Sequence, residues 1–110
     1  MPPTNKEANI VVLITTKDVD EADKIAVSLT QEKLIACANI FKGVQSVFWW
    51  EGKLNYSDEA LIVIKTQQRF FKKIVDKVKS LHSYSVPEVI ALPIIDGNPE
   101  YLQWIDESLR

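Results

Sequence analysis

Two long extended segments joined by a short turn constrain this chain more than any other feature of its sequence. Residues 36–50 and 54–66 are rich in β-branched and aromatic side chains, and Glu51-Gly52-Lys53 between them is typical of a hairpin turn. A strand rises about 3.3 Å per residue, so the first segment would span roughly 50 Å when straight. A compact domain of this size has a radius of gyration of only about 13 Å. The hairpin must therefore bend sharply or project beyond its own sheet.

The far end of this hairpin carries several large apolar side chains: Val47, Phe48, Trp49, Trp50 and Tyr56. Exposing so many aromatic rings to water would be unfavourable. Two arrangements would bury them. Either the hairpin folds back onto the helices of its own chain, or it pairs with a neighbouring subunit, as exposed strand edges often do. We favour the second arrangement, in which copies of the chain form a closed, symmetric oligomer.

The rest of the chain alternates strands with amphipathic helices. Residues 10–14 form a continuous apolar run typical of a buried strand, and residues 89–95 form another, in which Pro93 indicates an edge position. Apolar residues at helical spacing predict three helices. The N-caps predicted for them are Asp18 (in a capping box with Glu21), Thr66 and Asn98.

This order of elements, β-α-β-β-α-β followed by a C-terminal helix, predicts an α+β fold, a ferredoxin-like sandwich with a long central hairpin. Two right-handed β-α-β crossovers share that hairpin, which gives four antiparallel strands with helices on one face. We assign residues 9–110 to a single domain and expect the polar residues 1–8 to be frayed or disordered.

Composition narrows the class of protein. Hydrophobic residues make up 46% of the 110 residues and charged residues 25%, which is ordinary for a soluble domain, and a net charge of -2 offers no general attraction to nucleic acid. The longest apolar stretch is much too short for a membrane span, and no signal peptide is visible. A single cysteine, Cys37, excludes an internal disulfide and suits the reducing cytosol. We therefore expect a cytoplasmic protein with no membrane partner.

The same counts exclude most familiar enzyme signatures. One histidine and one cysteine cannot supply a four-ligand zinc site, and three glycines are too few for a dinucleotide-binding or phosphate-binding loop. RNA-recognition domains share this topology, but their third strand carries a basic-glycine-aromatic motif, whereas residues 60–64 are entirely aliphatic here. We expect neither an enzyme nor a nucleic-acid-binding protein.

Several motifs, in order along the chain, resemble the CutA divalent-cation tolerance family. They are LIACANI at 34–40, SVFWWEGK at 46–53, DEALIVIKT at 58–66, LHSYSVPE at 81–88 and YLQWI at 101–105, and they extend over nearly all of residues 9–109. The resemblance implies a ferredoxin-like fold, a homotrimer built from the long hairpins, a cytoplasmic location in most bacteria and archaea, and an association with copper and other divalent metals.

The chain departs from the family pattern in two places. Phe48 stands where a tyrosine is common, which removes a hydroxyl group. Ser83 and Ser85 stand where a frequent His-Pro-Tyr-Glu pattern has proline and glutamate, so a carboxylate near the implied site is missing. Both changes weaken the implied binding of metal and leave the fold unchanged.

His82 and Glu88 are the candidate metal ligands. His82 follows the second predicted helix, where it can cap the helix C-terminus, or it can bind metal, because imidazole suits copper, zinc and nickel. Glu88 comes six residues later, after the turn at Pro87, so the two side chains can converge on one cavity. We predict a weak, pH-dependent site for copper or another divalent ion, completed by water or a neighbouring chain.

Glu59 and Lys65 lie in an otherwise apolar strand, on the same face. Buried charges need partners, and we favour salt bridges that fix the register of a trimer. The alternative is a polar pocket between subunits, lined also by Trp49 and Tyr84, that receives a small anion or a metal ion; Trp50 belongs to the same predicted interface. Cys37 lies in an apolar strand and is predicted to be a buried structural thiol.

Two hypotheses for function follow. The first is a non-catalytic, trimeric protein of divalent-cation tolerance or metal response that binds copper or another divalent ion at clefts between subunits. The second is a small-ligand sensor or assembly module of the PII-like kind, since such trimers share this architecture and bind ligands between subunits.

Overall fold

The computed structural model describes residues 8–110, and residues 1–7 of the segment expected to be frayed lie outside the described residues. The described chain contains four strands and three helices. In order, they are β1 (Asn9–Thr16), α1 (Val19–Gln31), β2 (Cys37–Trp50), β3 (Lys53–Gln67), α2 (Phe71–Leu81), β4 (Val89–Pro93) and α3 (Pro99–Ser108).

The strands form one antiparallel sheet in the order β2-β3-β1-β4. Strand β1 lies inside the sheet, with Ile14 opposite Ile62 of β3 and Leu13 opposite Ile90 of β4. This topology confirms the predicted ferredoxin-like α+β fold. The edge position predicted for Pro93 is also confirmed, because β4 pairs only with β1; the strand ends at Pro93, two residues earlier than the apolar run.

Alternate residues of β1 and β3 face α1 and α2 and form the hydrophobic core, because successive side chains of a strand point to opposite faces of a sheet. Apart from the buried Gln67, the side chains of β1 and β3 on the opposite face are half-buried or exposed. The core residues from the sheet are Ile10, Val12, Ile14, Ala60, Ile62 and Ile64, and those from the two helices are Ala22, Ile25, Leu29, Ile74 and Val78.

Two of the three predicted helix caps are confirmed. Asp18 and Asn98 each accept a hydrogen bond from a backbone N–H in the first turn of the helix that follows, at 2.9 and 3.1 Å. The prediction for Thr66 is wrong. Thr66 lies within β3, its hydroxyl donates to the carbonyl of Leu34 at 2.6 Å, and α2 begins only after a 3₁₀ turn at Gln68–Phe70.

Strands β2 and β3 continue together well beyond β1. Strand β1 pairs with β3 only as far as Ala60, so, among the described residues, 44–59 pair only with each other; we call this segment the arm. A bulge at Lys42 and Gly43, opposite Ala60, marks its base, and bulges of this kind bend a strand and increase its twist. Of the two predicted arrangements, the hairpin therefore adopts the one that projects beyond its own sheet.

The tip of the arm is a two-residue turn, one residue shorter than predicted, because Lys53 already pairs with Trp50. Glu51 and Gly52 have φ values of 50° and 74°, which is the pattern of a type I′ turn. The side-chain amide of Asn55 donates to the carbonyls of Trp50 and Lys53 and fixes the turn from inside.

Replacing Gly52 by alanine should lower the free energy of unfolding by about 1 kcal/mol, because a Cβ atom makes the left-handed backbone unfavourable. An added Cβ would meet no atom within 4 Å, so the loss would come from backbone strain alone. Urea denaturation measures it. Gly97→Ala is the control, since Gly97 lacks a left-handed φ and an added Cβ would meet Leu102 at 3.4 Å; an equal loss in both variants would contradict the assignment of strain.

Candidate site at the base of the arm

The aromatic side chains of the arm do not fold back onto the helices of their own chain. Trp49, Trp50 and Tyr56 are 75%, 60% and 64% exposed, so the fold-back arrangement is excluded. Trp49 pairs across the strands with Leu54, whereas Phe48 points to the other face of the arm. Both faces of the arm are therefore apolar.

The apolar surface continues onto the sheet face that the core does not use. Phe41, Ile90 and Leu92 lie on this face and are each about half exposed. Burying a large apolar side chain stabilises a protein by roughly 1.5–3 kcal/mol, so this continuous surface and the arm favour association.

A cleft of about 430 Å³ lies where the arm leaves the sheet. It brings together Glu59, Tyr84 and Glu88 from the residues that the sequence singled out. It does not include Trp49, Trp50, Lys65 or His82. The full lining is Thr15, Ser46, Val47, Phe48, Glu59, Tyr84, Val86 and Glu88, which supplies two carboxylates and three hydroxyl groups.

Tyr84 and Glu59 form the polar floor of this cleft. The hydroxyl of Tyr84 donates to Oε2 of Glu59 at 2.8 Å. Burial, together with this hydrogen bond and the negative charge of Glu59, raises the pKa of Tyr84 to about 12. The phenol therefore stays protonated at neutral pH and occupies one oxygen of Glu59. Within residues 8–110, Oε1 of Glu59 has no hydrogen-bond partner and can accept a ligand.

The imidazole of His82 is fully buried and packs against Tyr84, a lining residue of the cleft, without lining the cleft itself. Its Nδ1 accepts the backbone N–H of Tyr84 at 3.0 Å, so Nε2 carries the proton and donates to the carbonyl of Thr15 at 2.7 Å. The ring does not cap α2, whose last turn is closed by the backbone N–H of His82. Both ring nitrogens are thus in use, and copper ligation by His82 stays a prediction that requires one of these hydrogen bonds to break.

Glu59 and Lys65 share a face of β3, as predicted, but they have different partners. Lys65 donates to the side-chain oxygen of Asn39 on β2. Within residues 8–110 neither charge forms an ion pair, so salt bridges that fix a trimer remain a prediction. The prediction that Cys37 is buried is wrong: its thiol lies half-buried on the edge strand β2, 4.0 Å from the hydroxyl of Tyr101.

The cleft offers an incomplete set of metal ligands. Among residues 8–110, no group of three or more His, Cys, Asp or Glu side chains could hold a metal ion. Glu59 and Glu88 provide carboxylate oxygens, which suit hard divalent cations. Two carboxylates from one chain make an open site that needs water or a second chain to complete it.

Comparison with known proteins identifies the family. Residues 10–108 match the family described as CutA1 divalent ion tolerance protein. The chain belongs to this family. The CutA protein of Thermus thermophilus, named a divalent-cation tolerance protein, is 45% identical over 98 residues, which cover 89% of this chain and 95% of that protein.

Plant and archaeal CutA proteins are similarly close to this chain. The chloroplastic CutA 1 of Oryza sativa is 45% identical over 102 residues, which cover 93% of this chain and 58% of the rice protein. The chain thus spans little more than half the length of that relative. A structure from Archaeoglobus fulgidus, described as a periplasmic CutA, has a TM-score of 0.89 at 41% identity and covers 93% of this chain and 99% of its own. Within residues 8–110 of the present chain, no helix combines the length and apolar character of a membrane span.

Glu21 is a residue of this CutA1 chain whose role the sequence did not reveal. A capping box would place its carboxylate on the backbone N–H of Asp18, but it instead accepts from the N–H of Lys17 at 3.2 Å and from the N–H and hydroxyl of Ser83 at 2.9 and 3.1 Å. The position of Glu21 in the first helical turn was visible in the sequence. A partner 62 residues away was not.

The acid stability of the protein should depend on Glu21. Burial tends to raise the pKa of this carboxyl, but the hydrogen bonds from Ser83 and Lys17 outweigh burial, so the pKa lies below the ordinary 4.5. A lowered pKa means that the ionised group stabilises the folded state above pH 4.5 and that this stabilisation is lost as the pH falls through the folded-state pKa.

Denaturation of the wild type and Glu21→Gln at neutral pH and at several acidic pH values tests this expectation. The variant should be less stable at neutral pH and should lose less of its remaining stability on acidification. Parallel pH profiles for the two proteins would contradict it.

Proposed function

We propose that this chain is a non-catalytic divalent-cation tolerance protein that acts as a homotrimer and binds copper or another divalent ion weakly. The observation that carries the proposal is the convergence of Glu59 and Glu88 in one cleft at the base of an apolar arm. The names of the CutA relatives, which describe tolerance of divalent cations, support the same function.

The trimer is argued from the arm. A strand pair with one apolar face needs one partner, whereas this arm exposes Trp49 and Leu54 on one face and Trp50 on the other. An arm that lies between two neighbouring subunits buries both faces, and a ring of three copies is the smallest closed assembly that offers two different neighbours. Because the cleft lies at the base of the arm, such an assembly would bring it close to a subunit boundary.

Light scattering across a dilution series tests the assembly. The expected mass is three times 12.5 kDa, unchanged on dilution to low micromolar concentration. A stable monomer would contradict both the trimer and the argument from the two faces of the arm.

The cation site we propose takes its protein ligands from Glu88 and from the free oxygen of Glu59. A given set of oxygen and nitrogen ligands binds copper(II) more tightly than it binds the other divalent ions of the first transition row. We therefore expect copper to bind best. Water completes the shell, and affinity is modest because each chain supplies only two ligands. His82 can add a nitrogen only if the loop that follows α2 opens.

A PII-like ligand sensor or assembly module is the alternative. The cleft volume of about 430 Å³ lies within the range of small-molecule sites, and Val47 and Phe48 give it an apolar wall. However, no lysine or arginine from residues 8–110 lines the cleft, so a phosphate group would face two carboxylates. Calorimetric titration with copper, zinc and a panel of nucleotides separates the two functions: we expect saturable copper binding, and nucleotide binding without a metal response would favour the sensor.

We propose a cytoplasmic location with no membrane or nucleic-acid partner. The single thiol suits a reducing compartment, and the net charge of -2 gives no attraction to polyanions. Fractionation of source cells tests the location, with recovery in the cytosolic fraction expected; recovery with an envelope or organelle fraction would overturn it.

A further inference from the structure

We infer that Glu21 is a positioning residue for the cleft: from the start of α1 it holds the loop between α2 and β4 so that Tyr84 reaches Glu59. This loop comprises residues 82–88. The inference rests on the proposed function only for its effect on cation affinity, since the positioning itself is a property of the free protein.

The first step is the contact between α1 and the loop. Glu21 is only 9% exposed, and each of its carboxylate oxygens is used. Oε2 accepts the backbone N–H of Ser83 at 2.9 Å, and Oε1 accepts the hydroxyl of Ser83 at 3.1 Å and the N–H of Lys17 at 3.2 Å. Hydrogen bonds to an ionised acceptor are stronger than neutral ones, so this contact holds Ser83 against the beginning of α1.

The second step leads from Ser83 to the cleft. The residues on each side of Ser83 are also fixed by hydrogen bonds, because Nε2 of His82 donates to the carbonyl of Thr15 and Nδ1 of His82 accepts the N–H of Tyr84. The rings of His82 and Tyr84 pack with centroids 4.7 Å apart. Three consecutive residues are thereby held to β1 and α1, and the hydroxyl of Tyr84 emerges 2.8 Å from Glu59.

A carboxylate is required at position 21 because the three groups that donate to it, the N–H of Lys17 and the N–H and hydroxyl of Ser83, all need acceptors. A glutamine has one acceptor oxygen, and its NH₂ group would face either the N–H of Ser83 or that of Lys17. Glu21→Gln therefore preserves the size of the side chain and breaks the contact. The matched control is Asp20→Asn, which removes an exposed carboxylate from the same helical turn.

The test reads the position of Tyr84 directly by nuclear magnetic resonance of protein labelled with ¹³C at the tyrosine ring, with Tyr84→Phe assigning its signal. In Glu21→Gln the Tyr84 ring signal should move towards its position in Glu59→Gln, where the acceptor carboxylate is lost. Amide exchange at Ser83 and Tyr84 should quicken by about tenfold or more, as expected for the loss of a hydrogen bond to a charged group. Ser83→Ala, which keeps the charge of Glu21 and loses one of its hydrogen bonds, should shift the same signals less.

Two results would overturn the inference. One is a Tyr84 signal and loop exchange rates that match those of the wild type and Asp20→Asn. The other is amide exchange that quickens as much at the core residues Ile62 and Ile64 as at the loop. That result would show that Glu21 stabilises the whole fold and does not act on the loop in particular. Neither measurement uses a cation, so the inference stands or fails separately from the proposed cation site. If copper binds, Glu21→Gln should lower the affinity for copper. In a protein that already carries Tyr84→Phe, adding Glu21→Gln should lower that affinity no further.

Discussion

Trp49→Ala should convert the proposed trimer largely into monomers at micromolar concentration. Truncating a buried aromatic side chain at the centre of an interface often costs about 2 kcal/mol or more, and a symmetric trimer loses this contact three times. The total is roughly 6 kcal/mol, or about a 10⁴-fold change in the association constant. Trp49 is 75% exposed in the single chain, so the variant removes little from the fold of the monomer itself.

Analytical ultracentrifugation of Trp49→Ala beside Val19→Ala measures this effect. Val19 is the first residue of α1, is 40% exposed and lies outside the arm, so its truncation should leave the trimer intact. If Trp49→Ala sediments like the wild type at every concentration, the arm does not hold the subunits together.

Removing both cleft carboxylates should abolish measurable copper binding. Changes to groups that merely support a metal ligand typically cost about 10–100-fold in affinity, and the loss of a ligand itself should cost at least as much. Glu59→Gln and Glu88→Gln should therefore each weaken binding by about tenfold or more, and the double variant by about 100-fold or more.

Glu51→Gln is the matched control, because it removes one carboxylate from the exposed tip of the arm and leaves the cleft intact. Calorimetric titration of the wild type and the four variants with copper gives the affinities. A wild-type affinity in the double variant would place the cation site elsewhere, whereas an equal loss in Glu51→Gln would show that net charge alone governs binding.

Much of the fold could be predicted because its determinants are local. The spacing of Ile25 and Leu29 predicts the buried face of α1, and Asp18 and Asn98 cap the helices they precede. The long hairpin follows from two extended segments joined by the turn signal Glu51-Gly52-Lys53. Thr66 fails as a cap for a physical reason: its neighbour Gln67 still pairs with Asn9 of β1, so the strand continues past the point where the sequence pattern changes.

The candidate site was only partly predictable because its contacts join distant parts of the chain. Glu59 and Tyr84 are 25 residues apart in sequence, and their hydrogen bond depends on the register of β3 and on the loop after α2. The sequence singled out His82 as a candidate metal ligand or helix cap, but it could not show that Thr15 and Tyr84 occupy both ring nitrogens. The sequence states which residue types are present, whereas the fold decides which of their polar atoms are left without a hydrogen-bond partner.

Native mass spectrometry of the protein titrated with copper tests the central claim most directly, because it counts chains and ions in one measurement. The account predicts a dominant species of three chains, each of 12.5 kDa, that gains ions up to one copper per chain, in steps that disappear in the Glu59→Gln, Glu88→Gln double variant. A monomer, or a trimer that remains free of copper at millimolar copper concentration, would contradict it.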